Sequence, residues 1–358
     1  VSEHPVRLFN VVAGRWTERQ GEGTTLYYDP RHSYNVDDMG KILDASRHYF
    51  SEWFYPYPWQ ELRISEFPGL AGYAQGFPTN ITFSEAIGFL TENDDETNTV
   101  ALVTAHEVAH QWWGNLLTPA DGPGGNILSE GMAHFSTAML LGEVEGERAR
   151  RGFMKRIEER YGDRRRKDAE RPLVKIDGSK QGDTTVTYDR GGWVAWMLMQ
   201  ELGREAMLEG LQSFIATYKD GPDFPLIEDL VAHLRPYAED PAAYDAFVDQ
   251  WIFDTVVPQF KLHEASKEAA GARWRAVAEL ENAGTGRIAV TVAATAGERF
   301  TEDGDLDPDY REERTTVWLD AGEKLPVELL ADFEPEELVV DPDIQVLQLQ
   351  RNAAVAKL

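Results

Sequence analysis

The sequence predicts an α+β chain in which a small β-sheet and a helical lobe precede an all-β sandwich. Three observations carry this expectation. Short extended runs with turn residues between them fill most of the chain before Thr99. From Thr99 to roughly Asp254 apolar residues recur at helical spacing. After WIFDTVVPQF the pattern changes to alternation bounded by turns, as in an antiparallel sandwich.

The elements follow in order. LFNVVAGRW and TTLYYDP read as two short strands separated by the polar turn ERQGEG. Residues 1–30 thus read as β-rich. From Val36 to Trp53, the residues Met39, Ile42, Leu43, Tyr49 and Phe50 share one stripe and predict a helix, which YPYPW then breaks. ELRISEFP reads as a strand, and GLAGYAQGFPTNITFSE as a loop leading into another extended run. LVTAHEVAHQWWGNLL reads as one helix and TPADGPGGN as a loop. SEGMAHFSTAMLLG reads as a second helix, with Ser129 as N-cap and Gly142 as its stop. Further helices are expected at 146–161, 189–202, 205–218, 226–235 and 241–253. WRAVAELEN, GRIAVTVAAT, ERTTVWLDA and LPVELLADF are the expected sandwich strands. Domain boundaries fall at 1–30, 31–256 and 257–358.

Composition narrows the function. The 358 residues carry 62 acidic against 35 basic side chains, a formal charge of -27, so a nucleic-acid partner is excluded. The one basic cluster, RRRK at 164–167, reads as a solvated helix end or loop. There is no cysteine, which removes disulfides, thiolate ligands and a thiol nucleophile. No apolar run approaches the length of a bilayer span.

The chemistry is concentrated in HEVAH, residues 106–110. On a helix, positions four apart share a face, so His106 and His110 can offer two imidazoles to one cation. Glu107 is rotated by about 100° and is free to reach a water instead. A hydrolytic zinc site needs a third protein ligand and an open position. Glu130 opens the next predicted helix, where an antiparallel partner brings it opposite the histidines. Asp121, in the loop, and Glu143, beyond the second helix, compete less well. His134, one turn after Glu130, reads as a neighbour of the site or a surface histidine. Trp112 and Trp113 either line a side-chain pocket or pack in the core, whereas Trp193 and Trp196 are assigned to the core.

HEVAHQWWGNLLT followed by SEGMAHF resembles the aminopeptidase N family of gluzincin metallopeptidases, which reads HExxH, Q-W-[FW]-G-N and N-E-G-[FL]-A. The resemblance implies a thermolysin-like catalytic domain, preceded at residues 1–30 by the remnant of an N-terminal β domain, and a zinc-dependent peptidase with one Zn2+ per chain on His106, His110 and Glu130. It implies Glu107 as general base toward a metal-activated water. TYDRGG matches the family's Y-[ED]-K-G, which implies that the Tyr188 hydroxyl faces the substrate carbonyl.

The sequence departs from the pattern in four places. Nineteen residues separate His110 from Glu130, one more than usual, and Ser129 replaces Asn. Arg190 replaces Lys. GYAQG stands where the family has G-A-M-E-N, so Gly72, Tyr73, Ala74 and Gln75 are the expected substrate-binding residues. Gln75 replaces the glutamate that binds the substrate amino terminus, and Glu85 is the nearest acid downstream. The expected activity is therefore aminopeptidase, with two alternatives. One is a thermolysin-type endopeptidase with relaxed amino-terminal recognition; the other is a non-catalytic gluzincin-like binding domain. The resemblance also covers family members trimmed to soluble regions of bacterial membrane transporters. It thus implies attachment to a larger membrane protein, with the extracytoplasmic side favoured.

Overall fold

In the computed structural model, residues 8–92, 98–167 and 169–358 are described. Five strands form the first sheet: β1 (Thr17–Gln20), β2 (Thr24–Tyr28), β3 (Leu62–Phe67), β4 (Ala74–Phe77) and β5 (Asn80–Ser84), in the order β1-β2-β3-β5-β4. β2, β3 and β5 run parallel, while β1 and β4 are antiparallel edges. The β4–β5 turn is tight, pairing Phe77 with Asn80, and places Thr79 at φ 66°. Helix α1 (Val36–Trp53) spans the residues that its apolar stripe predicts, and Met39, Leu43 and Phe50 are fully buried.

The helical lobe contains α2 (Thr99–Ala109), α3 (Glu130–Val144), α4 (Gly146–Arg164), the single turn α5 (Asp183–Thr185) and α6 (Gly191–Leu202). It continues with α7 (Arg204–Tyr218), α8 (Ile227–Leu234) and α9 (Pro241–Trp251). Helix α3 is buried on every side from Gly131 to Leu141, which marks it as the centre of the lobe. The helix therefore runs past Gly142, the expected stop.

The remaining strands are β6 (Phe260–Ala270), β7 (Arg273–Asn282), β8 (Ile288–Ala296), β9 (Arg311–Leu319), β10 (Lys324–Ala331), β11 (Glu337–Val340) and β12 (Val355–Lys357). They form two sheets, β10-β7-β6 and β12-β11-β8-β9. Their own core includes Phe260, Leu280, Val292, Leu329 and Leu338. The chain then returns to the helical lobe, where Ile344 and Leu347 are buried in the larger core. Arg351 Nη2 donates to Glu158 of α4 at 2.7 Å, and Arg351 Nη1 to Asp341 at 2.9 Å. Breaking that buried network by removing one partner would leave a charge uncompensated.

Four local expectations are corrected. Residues 8–16 of LFNVVAGRW carry no strand; the strand is TERQ, which had the composition of a turn. Because β1 and β2 extend the sheet of β3, a boundary at residue 30 would cut through that sheet. Residues 1–7 lie outside the described residues. WWGNLL does not continue α2. Beyond Ala109 the chain widens, with Asn115, Leu116 and Leu117 donating to the carbonyls of His110, Gln111 and Trp112, five residues back. Gly114 at φ 119° completes the reversal, in a conformation that favours glycine. The RRRK cluster is not wholly solvated, since Arg165 bonds Glu170 at 2.7 Å. Among the described residues, no helix is long and apolar enough to cross a membrane.

Candidate metal centre

Helix α2 starts at Asn98, whose side chain accepts from the Ala101 N–H at 3.0 Å. At its other end His110 is the C-cap residue and still helical (φ -62°, ψ -14°), so it stays on the face of His106. Their rings meet edge to face at 4.8 Å. Glu130, the first residue of α3, reaches across. Its Oε2 lies 3.2 Å from His106 Nε2 and 3.1 Å from His110 Nε2. The three ligand atoms lie within 4.8 Å of one another. Asp121 and Glu143 have no atom in this group.

The donor set fits a divalent zinc-like ion: two imidazole nitrogens and one carboxylate on one centre. A further sign is the outer nitrogen of His110. Its Nδ1 lies 3.0 Å from the Trp113 carbonyl, which can only accept, so Nδ1 carries a proton and the neutral ring presents its lone pair on Nε2, toward Glu130. Ser129, in place of the usual Asn, does not cap α3 with its side chain. Its hydroxyl instead lies 3.3 Å from His110 Nδ1.

Burial pushes the Glu107 carboxyl up to about 7, near the pH at which it would exchange a proton. Burial drives His106 down to about 3, so this imidazole is neutral. Burial opposes ionisation of Glu130, but hydrogen bonds from His106 and His110 outweigh it and hold the carboxyl below its usual range. Tyr188 sits in the π-turn Val186–Arg190 and stacks on His106, with centroids 5.8 Å apart and planes 17° apart. Burial and the neighbouring Glu130 carboxylate raise its phenol well above the usual range, so it keeps its proton and can donate.

These groups face a cavity of about 520 Å³. One wall is Tyr73 and the edge strand β4 that follows it, with Ala74, Gln75 and Gly76; another is apolar, with Leu102, Val103, Phe153 and Ile157. Gly72, an expected substrate contact, is not among the lining residues, and Gly76 takes its place. Gln75 is exposed to the cavity. Among the described residues its only carboxylates are Glu107 and Glu130. Glu85 does not enter; it accepts from the Gly69 N–H at 2.8 Å.

The residues of QWWGN receive their explanation here, which the sequence did not reveal. Gln111 is fully buried, donates to Phe77 O at 2.8 Å and accepts from Thr79 N at 2.8 Å. Asn115 donates to Gly76 O at 2.9 Å. Both amides thus fasten the end of β4 to the chain just beyond α2, the helix that carries His106. Trp112 and Trp113 are core, not pocket: both are fully buried, and their indole N–H groups bond Tyr55 O at 2.6 Å and Ser136 Oγ at 3.0 Å. Trp193 and Trp196 are core as expected. Arg190 is fully buried and donates to Val256 O at 3.0 Å and Asp254 O at 3.1 Å, tying the Tyr188 turn to the end of the lobe.

His32, Glu66 and Glu85 also come within 4.8 Å of one another. Their atoms are already engaged. Glu66 bonds His32 Nδ1 at 2.5 Å and the Asp29 N–H at 2.5 Å, and Glu85 bonds Gly69.

Comparison with known proteins agrees with this geometry. Residues 34–251 match the peptidase family M1 domain, and the chain belongs to that family. It is 27% identical over 226 residues to aminopeptidase M1-B of Oryza sativa subsp. japonica, covering 60% of this chain and 25% of that one. The chain thus spans about a quarter of the length of that relative. Its fold is similar to that of Legionella pneumophila aminopeptidase A, solved with aspartic acid, at TM-score 0.60 and 14% identity over 93% of this chain and 37% of that one. It is also similar to an M1 zinc metallopeptidase of Deinococcus radiodurans, solved as a mutant with a Tyr-Ser-Ala substrate. There the TM-score is 0.50 and the identity 20%, over 66% of this chain and 49% of that one.

Proposed function

We propose that this chain is a zinc-dependent peptidase that acts on peptides with a free amino terminus. The observation that supports it best is the convergence of His106, His110 and Glu130 at the floor of a cavity that Glu107 and Tyr188 also face. These three residues would hold one Zn2+. Bound there, the ion supplies Lewis acidity, lowering the pKa of water and polarising a carbonyl.

The chain's own residues do the rest. A peptide lies along β4, the edge strand that lines the cavity, as an added strand. Glu107 accepts the proton of the attacking water and returns it to the leaving amine. The Tyr188 hydroxyl donates to the carbonyl oxygen as negative charge develops there. Gln75 meets the substrate amino terminus through its amide oxygen, a neutral acceptor that gives a weaker contact to an ammonium than a carboxylate does.

The absence of any other carboxylate among the described lining residues favours a second reading, an endopeptidase indifferent to the amino terminus. Hydrolysis of matched free and N-acetylated peptides, with and without chelator, separates the two. Faster cleavage of free peptides, lost on chelation and restored by zinc, supports the first. Equal rates support the second. No cleavage of either by the zinc-loaded chain would defeat both.

A further inference from the structure

We propose that His134 is a positioning residue that fixes the tautomer of His106, with Asp189 behind it, and so turns the lone pair of His106 Nε2 toward a divalent cation. This rests on the reading above that His106 is a metal ligand.

His134 lies on α3 one turn after Glu130 and is buried. Its Nδ1 is 3.0 Å from His106 Nδ1. Its Nε2 is 2.9 Å from Arg160 Nη2 and 3.5 Å from Asp189 Oδ1. The rings of Phe153 and Tyr188 close the sides at 5.4 and 5.5 Å. The backbone leaves little freedom, because a Cβ on Gly192 of α6 would stand 2.6 Å from His134 Cβ. The ring is thus held in place by α2, α4, α6 and the Tyr188 turn.

Two imidazole nitrogens at hydrogen-bond distance need one proton between them, one donating and the other accepting. Two neutral arrangements satisfy this. In one, His134 Nδ1–H donates to His106, and His134 Nε2 accepts from Arg160, which can only donate. The His106 proton then sits on Nε2 and points at Glu130 Oε2, 3.2 Å away. In the other, His106 Nδ1–H donates to His134 Nδ1, and His134 Nε2–H turns to Asp189. His106 Nε2 is then bare. The number of protons is the same in both. Only the second can bind a cation through Nε2.

Asp189 is built to receive that proton. It is fully buried, and Arg160 Nε contacts its two oxygens at 3.0 and 2.9 Å. Arg160 Nη2 also bonds Asp189 Oδ1, so the guanidinium keeps its partner in either arrangement. Outer partners of this kind orient a ligating imidazole and fix which nitrogen faces the metal.

The test measures zinc affinity by chelator competition on the whole chain, with Zn2+ as the probe. His134→Leu removes the acceptor. His134→Asn keeps an oxygen close to the position of Nδ1. The expected result is a loss of about 10–100-fold in zinc affinity for His134→Leu and of no more than about threefold for His134→Asn. Nitrogen-15 spectra of the native chain with zinc should show His106 protonated on Nδ1 and His134 on Nε2. That readout holds even if the leucine variant does not fold. Native zinc affinity in His134→Leu, or a zinc-loaded native chain with His134 protonated on Nδ1, would overturn the assignment. A native chain that binds no zinc would remove the peptidase reading itself, and this one with it.

Discussion

Gly76 passes so close to Glu107 that a Cβ on the glycine would lie 2.5 Å from the Glu107 carbonyl oxygen. The same added atom would stand 3.0 Å from His110 Cβ. The edge strand therefore lies directly on α2, beside His106 and His110, held there by Gln111 and Asn115. A peptide added to that edge has its backbone beside Glu107.

Glu107→Gln is expected to lower turnover by at least about 10²-fold, since amide cannot take a proton from water. Zinc content should be unchanged, because Glu107 is not in the ligand group. Metal analysis beside a peptide assay checks both. Full activity in this variant would remove the general-base role.

Tyr188→Phe removes one hydrogen bond to the developing oxyanion. The expected loss is about 10²-fold in kcat, with KM little changed. A variant that raises KM at unchanged kcat would place Tyr188 in ground-state binding instead.

Gln75→Glu restores an acidic contact for a substrate ammonium. The ratio of kcat/KM for free over N-acetylated peptides should rise by about fivefold to tenfold, as roughly 1 kcal/mol of partly exposed ion pairing gives. No change in that ratio would show that Gln75 does not meet the amino terminus.

The hydrogen bond to Glu66 raises the pKa of His32 above 6.5. A raised folded-state pKa means that the charged form is favoured by folding. Its contribution is complete below the unfolded pKa of about 6.5 and is lost as pH rises through the higher folded value. His32→Gln should therefore cost about 1.5 kcal/mol near pH 5.5, and less as pH approaches 9. Thermal unfolding of both chains across that range checks the sign. A gap that widens with pH would contradict it.

Much of this was legible in the sequence where a pattern had one physical reading. The stripe of α1 gave both its ends, because an amphipathic helix closed by prolines leaves little choice. HEVAH and Glu130 could be joined because spacing on a helix and a loop able to reverse set the geometry. What stayed hidden depends on tertiary contacts. Gln111 and Asn115 are polar residues in an apolar run, and only the position of β4 gives them partners. β6 gives no strand signal in the sequence because FKLHEASKEAA lies at a sheet edge with a register shift between His263 and Ser266, which disrupts alternation. β12, at three residues, is too short to show any period. TERQ forms a strand because β2 pairs with it, against its own composition.

The most direct measurement is anomalous diffraction at the zinc edge from crystals of the zinc-loaded chain. The account predicts one peak about 2.0–2.2 Å from His106 Nε2, His110 Nε2 and a Glu130 oxygen. A map with no peak between those three side chains, or with its zinc only at His32, Glu66 and Glu85, would contradict it.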